Sequence, residues 1–190
     1  MTVSLVVIGA SLGGFSALKL VLGKLPPTFS VPIAIVQHRH KESRTTLASY
    51  LQPLLSLPIR EVEDKDEIAP GTIYLAPADY HLLIERDYFT LSTDEPVCYA
   101  RPSIDVLFES AADVYGDRVI GIVLTGANQD GAQGAAAIKA RGGRVIVQDP
   151  QTAESSVMPN AAIAATQVDA VVPLTAIGST LLSYSAQRSS

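Results

Sequence analysis

The residues from Val3 to Gly14 constrain this chain more than any other stretch. Val3 to Ile8 is apolar at every position but Ser4, rich in β-branched side chains and bounded by Gly9, which reads as a buried strand. Phe15-Ser16-Ala17-Leu18-Lys19-Leu20-Val21-Leu22 then repeats its apolar positions at helical spacing. Ser11 therefore falls in the tight turn where a strand hands over to a helix, at the carboxyl edge of a sheet, where open α/β sheets put their ligands. Gly9-Ala10-Ser11-Leu12-Gly13 also satisfies G-x-S-x-G, a turn that exposes a serine hydroxyl and leaves the next backbone N–H free for an oxyanion. The same glycines suit a phosphate loop at a helix N-terminus, although the P-loop lysine is missing and Gly9, Gly13 and Gly14 are not spaced as G-x-G-x-x-G. The local pattern leaves both readings open.

The rest of the chain narrows the choice. At 190 residues it suits one domain, residues 1–190, that buries roughly 70% of the surface its unfolded chain exposes. Charged residues are 17% of the total, the net charge is −5 and no basic run occurs, so nothing supplies the phosphate contacts of a nucleic-acid surface. No apolar stretch approaches the ~20 residues of a membrane helix, and no signal-peptide pattern opens the chain, so a cytoplasmic protein without direct membrane insertion is expected. The single Cys98 cannot form an internal disulfide and is expected to be a semi-buried, unreactive thiol.

Val31 to Gln37 is a second apolar, β-branched run, stopping at His38-Arg39-His40; with the first strand and helix it makes a βαβ unit with parallel strands. A helix capped by Ser43 is expected to run to about Leu55, broken near Pro53. Residues 58–92 read as short strand-like pieces between turns, and predict a small antiparallel hairpin excursion attached to the main sheet. A helix opens after Ser103. Val119 to Thr125 and Arg144 to Gln148 are further buried strands with the helix Ala135 to Ala140 between them. Pro159 opens a short helix, Val168 to Val172 is a last strand, and residues 174–186 close the chain as a helix. The predicted fold is doubly wound α/β, a mainly parallel sheet flanked by helices.

In this topology strands deliver Ser11, His38 and Asp130 to one sheet edge: a hydroxyl, an imidazole and a carboxylate, the parts of a serine nucleophile with its base and orienting acid. His40 competes with His38, since residues two apart on an extended chain point the same way. His81 reads as structural. A metal site on His38 and His40 lacks a third ligand, so no metal and no cofactor is expected. Asp105 and Asp113 read as solvent-exposed helix positions and the acidic stretch Glu61 to Glu67 as a solvated face. Asp130, opening a helix, reads on its own as a cap, and as a triad member only in company with Ser11 and His38. The α/β-hydrolase fold, whose triad runs serine, acid, histidine, is disfavoured because no histidine follows His81 and the strand before the serine lies at the chain start.

Several ordered strings, Val7 to Gly14, Val36-Gln37-His38, Gly71 to Pro77, Arg101 to Phe108, Val123 to Gly126, Asp130-Gly131-Ala132 and Met158-Pro159, resemble the chemotaxis protein-glutamate methylesterases, the CheB catalytic domain. The resemblance spans nearly the whole chain. It implies a serine esterase that removes methyl groups from γ-glutamyl methyl esters on chemoreceptor cytoplasmic helices, with glutamine deamidation as a second activity. Ser11 matches the family nucleophile, His38 its base and Asp130 its orienting carboxylate, and the backbone N–H groups of Leu12 and Ala127 would form the oxyanion hole. The chain departs from the family pattern at Leu12, where threonine is usual, and at Ala127-Asn128, where Met-Gly is usual. Family members usually carry an N-terminal receiver domain, and this sequence begins at the first strand, so activity without phosphorylation is expected. A non-catalytic module docking onto receptor arrays and a phosphate- or nucleotide-binding domain are the rival readings. The oligomeric state stays open.

Overall fold

Strand β1, Leu5–Ala10, is buried along its whole length because its alternate side chains enter two different cores. Val6, Ile8 and Ala10 pack on one side of the sheet, Leu5 and Val7 on the other, as the two-residue period of an extended chain requires. The structure, a computed structural model, describes residues 3–38 and 47–186. Its further strands are β2 Ile33–Gln37, β3 Ile59–Glu61, β4 Ile73–Leu75, β5 His81–Ile84, β6 Phe89–Ser92, β7 Val119–Val123, β8 Arg144–Gln148 and β9 Ala170–Val172. The helices are α1 Gly14–Leu22, α2 Leu47–Leu51, α3 Ile104–Tyr115, α4 Ala132–Ala140, α5 Val157–Ala165 and α6 Leu174–Ala186.

Seven strands form one sheet in the order β3-β4-β2-β1-β7-β8-β9, and every pairing in it is parallel. From β1 the chain winds outward through β2; it later returns to β7 on the other side of β1 and winds the opposite way. The junction between β1 and β7 is thus the topological switch point, where loops diverge to opposite faces and leave a crevice. One face of the sheet packs Ala17, Leu18, Val21 and Leu22 of α1 with Ile177 and Leu181 of α6. The other packs α3 through Ile104, Leu107 and Phe108, with Ile138 of α4 and Ala162 of α5. This three-layer arrangement bears out the doubly wound reading.

Residues 58–92 are only partly the expected excursion. β5 and β6 do form a separate antiparallel pair, with Tyr74 and Phe89 rings 4.7 Å apart joining it to the main sheet. β3 and β4, by contrast, are parallel strands of the main sheet itself. The error has a physical cause: three-residue strands are too short to show whether one or both faces are buried, and β4 is buried on both. The helix expected to run to about Leu55 and to break near Pro53 does so: α2 gives way after Leu51 to a 3-10 turn at Gln52–Leu54 that includes Pro53. Its expected cap, Ser43, lies outside the described residues, as does His40.

Candidate active site

Parallel register sets the first contact. Ala10 is the partner of Gln37 in the β1–β2 ladder, and His38 N–H donates to Ala10 C=O at 3.0 Å, so the next residues, Ser11 and His38, leave neighbouring strands side by side. On the other flank Ser11 N–H donates to Thr125 C=O at 2.9 Å, beyond the end of β7. Gly13 then takes φ +79°, the left-handed conformation that lets the chain turn sharply into α1. Ser11, Leu12, Gln37, His38 and Asn128 line one open cleft of about 660 Å³, whose far wall includes Asp79, Tyr99 and Arg101.

Asp130 reaches this cleft from beneath. It is completely buried, and both carboxylate oxygens are filled. Oδ2 accepts from His38 Nε2 at 2.7 Å and from Ile104 N–H at 2.6 Å. Oδ1 accepts from Ser103 Oγ at 2.8 Å and Asp105 N–H at 3.0 Å. Asp130 therefore caps the N-terminus of α3 from another part of the chain while it holds the imidazole, so the two readings of this residue, cap and histidine partner, are both realised. Burial alone would raise its pKa, but the bond from His38 and the Asp105 and Ile104 amides outweigh burial and hold it below the usual carboxylate range.

With Nε2–H given to Asp130, the lone pair of a neutral His38 is on Nδ1, where it accepts a long bond from Asn128 Nδ2. Asn128 is consistent with this tautomer: its Oδ1 accepts from Asp130 N–H at 3.2 Å, which turns its Nδ2 toward His38 Nδ1 at 3.4 Å. Ser11 Oγ and His38 share the cleft, and among the described residues no hydrogen bond joins them, a common state of such pairs without substrate. The N–H groups of Leu12 and Ala127 likewise donate to no acceptor among the described residues. The structure thus places Ser11 and His38 on one cleft and Asp130 buried behind His38, with two unused backbone donors, Leu12 N–H and Ala127 N–H, on the neighbouring loops.

Other candidates fall elsewhere. His81 is buried between Ser103 N–H, which donates to its Nδ1, and Glu95 C=O, which bonds its Nε2, a structural role as expected. Cys98 is exposed as a residue, not semi-buried, and partial desolvation of its thiol together with the Asp130 and Asp105 charges pushes its pKa up, away from an activated thiolate. Asp105 overturns its reading as a solvated helix position: it is 3% exposed, and its Oδ1 accepts from Gly134 N–H at 2.7 Å, pinning α4 to α3. Burial raises its pKa to about 6, assisted by the Asp130 charge and opposed by the Gly134 bond. Donor atoms of Cys98, Asp105 and Asp130 lie within 4.8 Å of one another, but the hydrogen bonds that fill Asp130 leave it no free lone pair aimed at an ion.

Sequence reasoning missed Gln37, Ser103, Thr125 and Asn128 as parts of this site. For Gln37 and Thr125 the signal available was a polar residue at the end of a buried apolar run, where an amide or hydroxyl needs a partner; Ser103, before a helix, and Asn128, in a loop, carried no such signal.

Fold and cleft together define a doubly wound α/β protein equipped, at its switch point, for hydrolytic acyl transfer. A family profile described as CheB methylesterase matches residues 6–181. A Leptospira interrogans relative is 51% identical over 175 residues, covering 92% of this chain and 91% of its own. Protein-glutamate methylesterase/protein-glutamine glutaminase 1 of Carboxydothermus hydrogenoformans is 45% identical over 91% of this chain and 53% of its own. The crystal structure of the Thermotoga maritima CheB methylesterase catalytic domain superposes with a TM-score of 0.92 at 34% identity, covering 97% of this chain and 100% of that one. The chain belongs to the CheB methylesterase family. Among the described residues no helix is long and apolar enough to cross a membrane.

Proposed function

We propose that this methylesterase hydrolyses γ-glutamyl methyl esters on the cytoplasmic helices of chemoreceptors, using Ser11 as nucleophile, His38 as base and Asp130 as orienting carboxylate, and that it works in the cytoplasm where those helices lie. The observation that carries the reading is the 2.7 Å bond from His38 Nε2 to a buried, ionised Asp130, at a cleft that Ser11 also lines. Asn128 Nδ2 gives up its 3.4 Å contact with His38 Nδ1, and Nδ1 takes the Ser11 hydroxyl proton as Oγ attacks the ester carbonyl. Leu12 N–H and Ala127 N–H then hold the tetrahedral oxyanion, each lowering the barrier by about 3 kcal/mol. His38 returns its proton to the departing methoxide, methanol leaves, and a water activated by the same imidazole hydrolyses the acyl-enzyme. With a glutamine amide in place of the ester the leaving group is ammonia, which gives the deamidase activity. No step needs a metal or a cofactor.

Leu12 is half exposed and Ala127 exposed, and both contribute backbone donors, so their side-chain departures from the family pattern leave the oxyanion chemistry in place and alter the shape of the cleft mouth. The test is methanol release from a methylated receptor fragment by wild type and Ser11→Ala together. Turnover of the variant is expected to fall by about 10⁴-fold or more with an unchanged melting curve. Near-normal turnover removes Ser11 from the mechanism, and a wild type that binds the fragment without releasing methanol is a docking module instead.

A further inference from the structure

Gln37 closes β2 directly beneath the Ser11 turn, and its carboxamide is placed unlike an ordinary strand-end glutamine. One proton of Nε2 goes to Ser11 C=O at 2.8 Å and the other to His38 C=O at 2.9 Å. The same Ser11 carbonyl also accepts from Gly14 N–H at 2.8 Å. In a planar trans peptide the C=O of one residue and the N–H of the next lie on opposite sides of the bond. With Ser11 C=O drawn toward Gln37, Leu12 N–H is turned the other way, out of the turn. The following peptide is fixed as well, because Thr125 Oγ1 donates to Leu12 C=O at 2.8 Å. Both peptide planes around Leu12 are thus held by side chains from the ends of neighbouring strands.

The far end of the carboxamide carries a cost. Gln37 Oε1 is the buried side-chain oxygen or nitrogen that lacks a hydrogen-bond partner among the described residues. It lies against Gly14, where an added Cβ would overlap it. An apolar side chain of similar length would leave no such orphan. What an apolar side chain cannot do is hold two carbonyls with one NH2 group.

We propose that Gln37 is a positioning residue that aims the Leu12 N–H at the oxyanion and keeps Ser11 in register with His38. It touches no reacting atom and acts through the backbone of residues that do. This rests on the mechanism proposed above, so its test separates the two. The full chain is assayed as wild type, Gln37→Met and Gly14→Ala, for kcat and KM on a methylated receptor fragment, for the rate at which a fluorophosphonate labels Ser11, and for stability in urea. Gln37→Met removes both donors at similar side-chain length. Gly14→Ala keeps Gln37 and displaces its amide, its new Cβ also meeting Ala10 Cβ at 2.8 Å, and it is read beside Gln37→Met as a second variant with a different structural cost.

Loss of an oxyanion donor outright costs about 10²–10³ in rate, and a misaimed one less, so kcat falls by about 10- to 100-fold in both variants with KM within about two-fold. Fluorophosphonate labelling slows in parallel, because the phosphoryl oxygen uses the same donors. A merely structural glutamine would lower the urea midpoint and leave kcat of the folded enzyme alone. Folded variants with kcat and labelling within two-fold of wild type, or a loss confined to KM, overturn the proposal. Wild type that is labelled at Ser11 but releases no methanol refutes the substrate assignment and leaves the labelling rates to decide the role of Gln37. Wild type that does neither overturns the enzymatic reading and the role of Gln37 with it.

Discussion

Replacing Asp130 by asparagine changes one oxygen to an NH2 group and separates the two tasks of this residue. The amide keeps one acceptor, which best serves Ser103 Oγ and Asp105 N–H at the Oδ1 position. Its NH2 then faces Ile104 N–H and His38 Nε2, the two donors now held at 2.6 and 2.7 Å. Ile104 N–H has no tautomer to change and is left unpaired at a buried helix end, a cost of about 1–3 kcal/mol. Loss of the negative charge at the N-terminus of α3 adds about 0.3–1 kcal/mol. A loss of about 1–4 kcal/mol in stability is therefore expected. His38 has an escape: it moves its proton to Nδ1 and accepts from the amide at Nε2. In the proposed mechanism that places a proton on the nitrogen meant to receive one from Ser11, and carboxylate-to-amide replacement in a serine triad lowers kcat by about 10⁴ for this reason. Methanol release from the methylated receptor fragment at a temperature where urea titration shows Asp130→Asn fully folded measures the rate effect apart from the stability effect. A folded Asp130→Asn with turnover within ten-fold of wild type would refute the tautomer argument and demote Asp130 to a helix cap.

Two further predictions concern the scaffold. Asp105 has its folded pKa raised from 3.8 to about 6, so between those values the folded protein holds a proton the unfolded chain has lost, and stability falls as pH rises through that window. Asp105→Asn, which keeps an acceptor for Gly134 N–H, removes this fall of about 3 kcal/mol, and urea midpoints at pH 4 and pH 7 check it. Asp130 works in the opposite sense: its lowered pKa gives stability present at neutral pH and lost on acidification below about 4, so an Asp105→Asn variant is expected to show that acid loss alone. Tyr74 is fully buried, donates its hydroxyl to Glu67 C=O at 2.9 Å and accepts from Ala69 N–H at 2.8 Å. Tyr74→Phe strands both backbone groups and is expected to lower stability by about 1–3 kcal/mol with no effect on kcat, read by thermal melts beside the methanol assay.

The placing of the site was legible in the sequence because parallel β/α units impose it. Apolar runs ending at Ser11, His38 and the loop before Asp130 have to finish on one edge once their crossovers share a hand, and no side-chain detail is needed to reach that conclusion. The same periodicity could not tell β3 and β4 from an antiparallel excursion, since three residues carry too little pattern. Sequence also could not reveal that Asp105 is buried. Its helix presents an apolar face through Ile104, Leu107 and Phe108, and only the approach of α4, closed by the Gly134 bond, covers the aspartate beside them. Nor could it assign Asp130 both roles or give Gln37 any. Those depend on which donors converge on a single oxygen, and convergence of residues 26 and 92 positions apart is a property of packed loops and strand ends. Residue order and hydrophobic period thus determined the parallel strands β1, β2, β7 and β8, the doubly wound class and the sheet edge that carries the candidate site. Tertiary packing alone decided which imidazole nitrogen faces Asp130 and which way the Leu12 amide faces, because hydrogen-bond direction is set by neighbours the linear chain does not bring together.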